Sequence, residues 1–347
     1  MKNHSLLFLF ISLLQWGFLQ AEPISNWQNA KWETLQLSDQ PSLRSSAIKE
    51  GVFWVAGTKG KIFKSIDFGE NWQDVSLNNN SNEDIRDIHA FNSQSIIVMT
   101  VGEGKQSRLY QTIDAGENWH ILLQNTEEKG FFDSIGFWDN NKGLLLGDPV
   151  DGYYVIMTTE DAGKNWQRIN SNGLPKILDK EAAFAASGNT LVTGKNGKAW
   201  FTTGGFSASV MFSNDYGKTW KRQPIPLYDA TQTAGGYGLR VNNKDEIFVV
   251  GGDYQKRDGQ YSNLVSLDAD SKWHQIATGN NGLRTAMSCI KANCIITGKL
   301  GSDISFDHGK HWQEMSGQGF YTLATDGQYM IAAGHVGRVG ILKFNKN

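Results

Sequence analysis

Hydrophobic residues recur along this chain in short runs separated by polar, Gly-containing turns. Between residues 84 and 123 they fall into four pieces, "IRDIHAF", "SIIVMTVG", "RLYQTID" and "NWHILL". Between residues 282 and 316 the same order returns as "GLRTAMSC", "CIITGKLG", "SDISFD" and "HWQEMS". Runs this short, bounded by turn residues, predict β-strands. One eight-residue word joins the third piece to the fourth. It reads "SIDFGENW" at Ser65–Trp72, "TIDAGENW" at Thr112–Trp119 and "TEDAGKNW" at Thr159–Trp166. It continues as "SNDYGKTW" at Ser213–Trp220 and "SFDHGKHW" at Ser305–Trp312, with a worn copy, "SLDADSKW", at Ser266–Trp273. The six Trp residues, at 72, 119, 166, 220, 273 and 312, are spaced by 39 to 54 residues. That period suits a four-stranded propeller blade.

Both chain ends stop in mid-pattern. "KWETLQL" at Lys31–Leu37 resembles the fourth strand "NWQDVSL" with nothing before it. "FYTLATD", "YMIAAGH" and "RVGILKF" supply three strands and no fourth. Joined, they make a seventh blade with Trp32 as its Trp. The expected fold is an all-β, seven-bladed β-propeller of four-stranded blades, closed by pairing the N-terminal strand with the last three strands, so that no edge stays open. The repeated word is expected at the turn before each fourth strand. Its carboxylates, Asp67, Asp114, Asp161, Asp215, Asp268 and Asp307, are read as structural acceptors for turn amides. Gly there tolerates positive φ, and the Trp packs between blades. One carboxylate per copy supplies too few oxygens for calcium, so no metal is expected.

The N-terminus departs from this pattern. Lys2 and His4 precede the apolar run Leu6–Leu19, and Ala21 offers a small residue for cleavage. Residues 1–21 therefore read as a secretory signal peptide, and 22–347 as the propeller, in a periplasmic or secreted protein. A membrane anchor is the alternative, but the run is short to span and no Cys follows it for lipid attachment. The 347 residues carry 33 Lys and Arg against 35 Asp and Glu, a net charge of −2, which excludes a basic nucleic-acid binder. The two Cys, Cys289 and Cys294, read equally as a disulfide across a hairpin or as two buried thiols. They form neither a zinc site nor a redox motif.

Candidate chemistry lies where the innermost strands begin. Aligned there are Arg44, Arg86, Asp133, Glu181, Tyr237, Arg284 and Tyr321, which should meet around one mouth of the channel. The loops between second and third strands add Asp148, Asp151, Asp253, Tyr254 and Arg338. Arg offers a planar fork to carboxylate or phosphate, and Tyr offers a face and a hydroxyl. Such a cluster binds a small anionic ligand or a protein partner, or it closes the channel with internal ion pairs. Glu181 and Asp133 could also form an acid/base pair, as a glycoside hydrolase or lyase acting on an anionic sugar requires. The chain has no GxGxxG, P-loop or HExxH pattern, so no cofactor is expected.

The repeated word resembles the Asp-box (BNR) repeat of sialidases and other propellers. The wider series resembles the photosystem II stability/assembly-factor family and its relatives in non-photosynthetic bacteria. That likeness rests on Ser42–Trp72, Phe131–Gly152, Glu181–Gly188, "GGDY" at Gly251–Tyr254 and "GSDISFDHGKHW" at Gly301–Trp312. It implies a seven-bladed propeller, acting as a monomer, that binds a protein partner and assists assembly. It also implies an Arg-rich patch, to which Arg44, Arg86 and Arg284 correspond by blade position alone. The sialidase likeness carries no catalytic residue across, because those enzymes have six blades and an Arg-Ile-Pro motif that the mature chain lacks.

Overall fold

A computed structural model describes residues 27–77, 82–242, 244–268 and 270–344, so the leader expected at 1–21 lies outside the described residues. Its strands form seven four-stranded antiparallel sheets, as the sequence predicts. The first strand of each sheet packs beside the first strands of both neighbours, so these seven line the channel. In chain order they are Leu43–Lys49, Asp84–Ala90, Phe132–Phe137, Leu191–Thr193, Ala234–Val241, Ala286–Ile290 and Thr322–Thr325, in blades one to seven. Among the described residues the only helices are five three-residue 3-10 turns, and no helix is long and apolar enough to cross a membrane.

Blade seven is completed by the strand Ala30–Gln36, which pairs with Arg338–Phe344 in antiparallel register, Trp32 opposite Leu342. Trp32 is buried, packs edge-on to Phe320 at 5.1 Å and donates its indole N–H to Ser302 Oγ of blade six. Seven apolar clusters hold the blades, one at each junction between neighbours. Each draws mainly on the second strands, whose runs are buried on both faces, as in Phe53–Ala56, Ile96–Met99 and Leu144–Leu146. A buried carboxylate adds a polar tie. Asp87 of blade two accepts from Ser134 Oγ at 2.6 Å and the Ile135 amide at 2.8 Å, both in blade three.

The repeated word folds the same way in its intact copies. In the first, Ser65 Oγ donates to Asp67 Oδ1 at 2.8 Å and accepts the Gly69 amide at 2.8 Å. Asp67 also accepts the Asn71 amide at 2.9 Å and the Asn71 side chain at 2.8 Å. Asp114, Asp161, Asp215 and Asp307 repeat this pattern. In four copies the residue before the Gly donates its amide to the turn between the first two strands of its own blade: Ala115 to Gln94, Ala162 to Asn141, Tyr216 to Gly197 and His308 to Ala292. These words therefore sit at the end of each blade where the first strand finishes, opposite the mouth where it begins. In the worn copy Asp268 instead accepts the Lys272 amide at 2.9 Å and pairs with His274 at 2.6 Å.

Blade six carries the two cysteines. Its first hairpin turns on Lys291 and Ala292, with Ile290 opposite Asn293, which places Cys289 directly opposite Cys294. The pair is joined as a disulfide.

The word's Gly positions are stringent. Gly116 lies at φ +91°, and a Cβ there would stand 2.9 Å from Cβ of Val75 in blade one. Left-handed strain and overpacking should together cost about 2–4 kcal/mol in Gly116→Val. Urea unfolding should show this loss as a lower midpoint with unchanged slope; a parent-like midpoint would contradict the role given to the word.

Candidate functional site

The inner strands start with β-bulges. Pairing registers slip between Leu43 and Ser45, Ile85 and Asp87, Phe132 and Ser134, and Gly236 and Gly238. The extra residues are Arg44, Arg86, Asp133 and Tyr237. A bulge frees one residue from the ladder and re-aims its side chain. Here the four side chains line one cavity of about 650 Å³ at the channel mouth, joined by Tyr321, Asp148 and Tyr254.

Blade four is built differently from the expected strand at Glu181. Ala182 bridges to Gly204, and regular pairing resumes only at Leu191. The residues between, 183–190, leave the sheet and cross the channel. The Ala185 carbonyl accepts from Arg86 Nη1 at 2.8 Å in blade two, and Asn189 accepts the Leu239 amide at 2.8 Å in blade five. Phe184 stacks on Tyr237 at 4.5 Å. Gly188 has φ +68°, and a Cβ there would fall 2.3 Å from Asp87 Oδ1. This plug forms the floor of the cavity and gives it Ala182–Ala186.

The remaining predicted residues lie elsewhere. Glu181 is buried against Arg222 of the outer strand Lys221–Pro224, because the turn Leu178–Glu181 points its side chain outward. Arg284 is fully buried and faces into its blade, 3.1 Å from Asp303 but out of hydrogen-bond alignment. Asp253 is buried and organises its own loop, accepting from Thr231 at 2.8 Å and Thr233 at 2.6 Å. Asp151 is exposed at a turn with φ +56°. Arg338 opens the strand beside Gln36 and contributes only its charge to the neighbourhood of His335. Sequence reasoning missed three lining cations, Arg257, Lys180 and Lys299, which come from irregular loop segments rather than strand starts.

Charges in the cavity are unequally matched. Arg86 is clamped by Asp84, Nε to Oδ1 at 2.9 Å and Nη2 to Oδ2 at 2.7 Å. Arg44 forms no ion pair with a carboxylate among the described residues; its guanidinium lies 4.0 Å over the Tyr321 ring, and its Nε donates to Ser42 Oγ at 3.0 Å. Burial and the nearby Arg86 lower its pKa, a sign of positive crowding. Arg257 and Lys299 likewise form no ion pair among the described residues. Two acids sit among these cations. Asp133 is 1% exposed with neither oxygen bonded, and burial and Asp148 push its carboxyl well up. Burial raises Asp148 to about 6. The mouth therefore carries more cations than acids, with the exposed ring of Tyr254 at its rim and the buried rings of Tyr237 and Tyr321 behind. Such a surface attracts an anion.

No family model matches the chain, and no curated protein matches it in sequence. Solved structures do match its fold. One is "YCF48 bound to D1 peptide", with TM-score 0.65, 14% identity and coverage of 94% of this chain and 100% of that one. YCF48 from Cyanidioschyzon merolae gives TM-score 0.64 and 15% identity over 90% of this chain and 98% of that one. Virginiamycin B lyase from Staphylococcus aureus gives 0.61 and 14% over 91% and 100%. At these identities the likeness is one of fold.

The buried acids have a pH signature. Asp148 titrates near 6 when folded against an ordinary 3.8, and Asp133 moves the same way. The folded state then holds protons that the unfolded chain has released. Their contribution is complete below about pH 4 and is lost as pH rises through about 6. Asp148→Asn should make the fall in unfolding free energy between about pH 4 and 7 shallower than in the parent, with a remainder from Asp87, which burial lifts to about 7. Identical slopes in urea titrations of the two proteins would overturn this assignment.

Proposed function

We propose that this chain is an exported propeller that uses the channel mouth to bind an anionic segment of a protein partner, as an assembly or stability factor for an envelope complex. The observation that carries the reading is the unpaired cation set, Arg44, Arg257 and Lys299, on an aromatic-lined cavity. A carboxylate-bearing segment would meet planar forks at the two Arg and the exposed ring of Tyr254. Two further points support it. A propeller of the same fold, YCF48, is seen with a D1 peptide. The apolar run at Leu6–Leu19 and the Cys289–Cys294 disulfide both suit an exported protein.

Arg44→Ala and Arg257→Ala test the reading. Charge-assisted contacts are worth about 1.5–3 kcal/mol each, so each variant should weaken capture of the envelope partner about 10–100-fold while melting like the parent. A double variant that captures the partner as well as the parent does would refute the mouth as the binding site. Arg284→Ala is unsuitable, because it strands Asp303 in the core.

A second reading, hydrolysis or elimination on an anionic sugar, has one observation in its favour. Asp133 and Asp148 are cavity-lining acids with unbonded oxygens, and a raised carboxyl can serve as a general acid near neutral pH. Glu181 does not serve this reading, being held by Arg222. Turnover of acidic oligosaccharides should then fall at least about 100-fold in Asp133→Asn. Turnover absent from the parent, or unaffected by the substitution, removes this reading.

A further inference from the structure

The channel has a second mouth, beyond the plug. A cavity of about 420 Å³ opens there, lined by the ends of the inner strands. It differs from the first in one respect: its lining contains cations and hydroxyls but no carboxylate. Lys49 comes from blade one and Arg240 from blade five, nearly opposite each other around the ring. His89, Ser46 and Ser288 lie between them on blades two, one and six.

Arg240 is the unexplained group. Its Nε is buried and has no hydrogen-bond partner. Among the described residues its guanidinium meets a single acceptor, the Cys289 carbonyl, at a long 3.4 Å. An Arg presents five donors, and a half-buried guanidinium left this empty is costly unless something else accepts from it. His89, packed between Phe91 and Phe137 at 4.7 and 4.6 Å, is held neutral by burial, its pKa lowered to about 4. It therefore adds a ring N–H without adding charge.

We infer that the far mouth is an oxyanion site, in which Arg240, Lys49 and the hydroxyls around them hold a phosphate-like tetrahedral anion. Donors reach this cavity from several blades, and a tetrahedral anion can accept from several directions at once, where a planar carboxylate accepts in one plane. The ring of low-dielectric blades, with no acid in the lining, strengthens the field of both cations in the recess. The site is separated from the first mouth by the plug, through Asn189, and does not depend on what binds there.

The probe is inorganic phosphate, titrated into the whole protein at constant ionic strength and followed by calorimetry and by melting temperature. Phosphate should bind the parent and raise its melting temperature, because it binds only the folded chain. Arg240→Met keeps the stem and removes the donors; it should lose at least about tenfold in affinity and most of the melting shift. Lys49→Met, at an exposed position, should weaken binding measurably without altering the phosphate-free melt. Lys221→Met, exposed on the outer strand of blade four and in neither cavity, should bind phosphate as the parent does. Absence of binding to the parent, equal affinity in Arg240→Met or in Lys49→Met, or loss of binding in Lys221→Met would each overturn the assignment. Should Arg240→Met fail to fold, Lys49→Met and Lys221→Met decide it.

Discussion

Each blade of this molecule buries its faces only against its two neighbours, so the fold stands on closing the ring. Seven junctions hold seven apolar clusters, and among the described residues there is no larger core behind them. The seventh blade exists only if Ala30–Gln36 adds itself to the last three strands. That pairing covers the outer edge of Arg338–Phe344, and it brings Trp32 against Phe320 and Ser302. The first described strand and the last thus share one sheet, and opening it would expose two junctions at once. Clasping the ring in this way covers the long edge of Arg338–Phe344 and leaves Ala30–Gln36 as the blade's outer strand.

Closure also explains why the channel ends can carry chemistry. A packed ring fixes seven strand starts around one axis, and small local irregularities then decide which side chains point inward. Four bulges send Arg44, Arg86, Asp133 and Tyr237 into the same cavity. Blade six does the same one residue later than the aligned Arg. The Thr285 amide bonds to the Thr297 carbonyl while Ala286 pairs with Thr297, so Thr285 reaches the cavity and Arg284 turns into the blade toward Asp303. A one-residue offset in alignment therefore sends a side chain to the opposite face.

That contrast marks how far the sequence could be read. The architecture was legible because the word recurs at a blade-like period and because the two end fragments are complementary. Arg44, Arg86 and Tyr321 were placed by the same alignment. Arg284 and Glu181 were not: the inward position of blade six is Thr285, one residue on, Glu181 lies in a turn ahead of its sheet, and no local pattern links the two to their partners Asp303 and Arg222. The plug at 183–190 was read as strand because "EAAF" resembles the other starts. A signal was present: the Gly pairs 204–205 and 235–236 lie where backbones crowd, and a Cβ on Gly235 would stand 2.3 Å from Gly204 Cα. Doublets of Gly within strands mark close backbone approach, here of blades four and five beneath the plug.

The plug changes what the propeller can do. An open channel would put both mouths in contact through water, and a cation at one end would partly neutralise an anion held at the other. Residues 183–190 instead reach from blade four to Arg86 and to the Asn189–Leu239 contact, leaving a chamber on each side. The near chamber mixes cations with two acids whose carboxyls burial pushes upward, and with aromatic side chains suited to a larger partner. The far chamber sets cations and hydroxyls in a largely apolar lining with no carboxylate. Acids matter to this difference: a carboxylate beside Arg240 would satisfy it internally, as Asp84 does Arg86. The residues left without such partners, Arg44 and Arg257 on one side and Arg240 on the other, are therefore where binding energy is still available, and they lie on opposite faces of one wall.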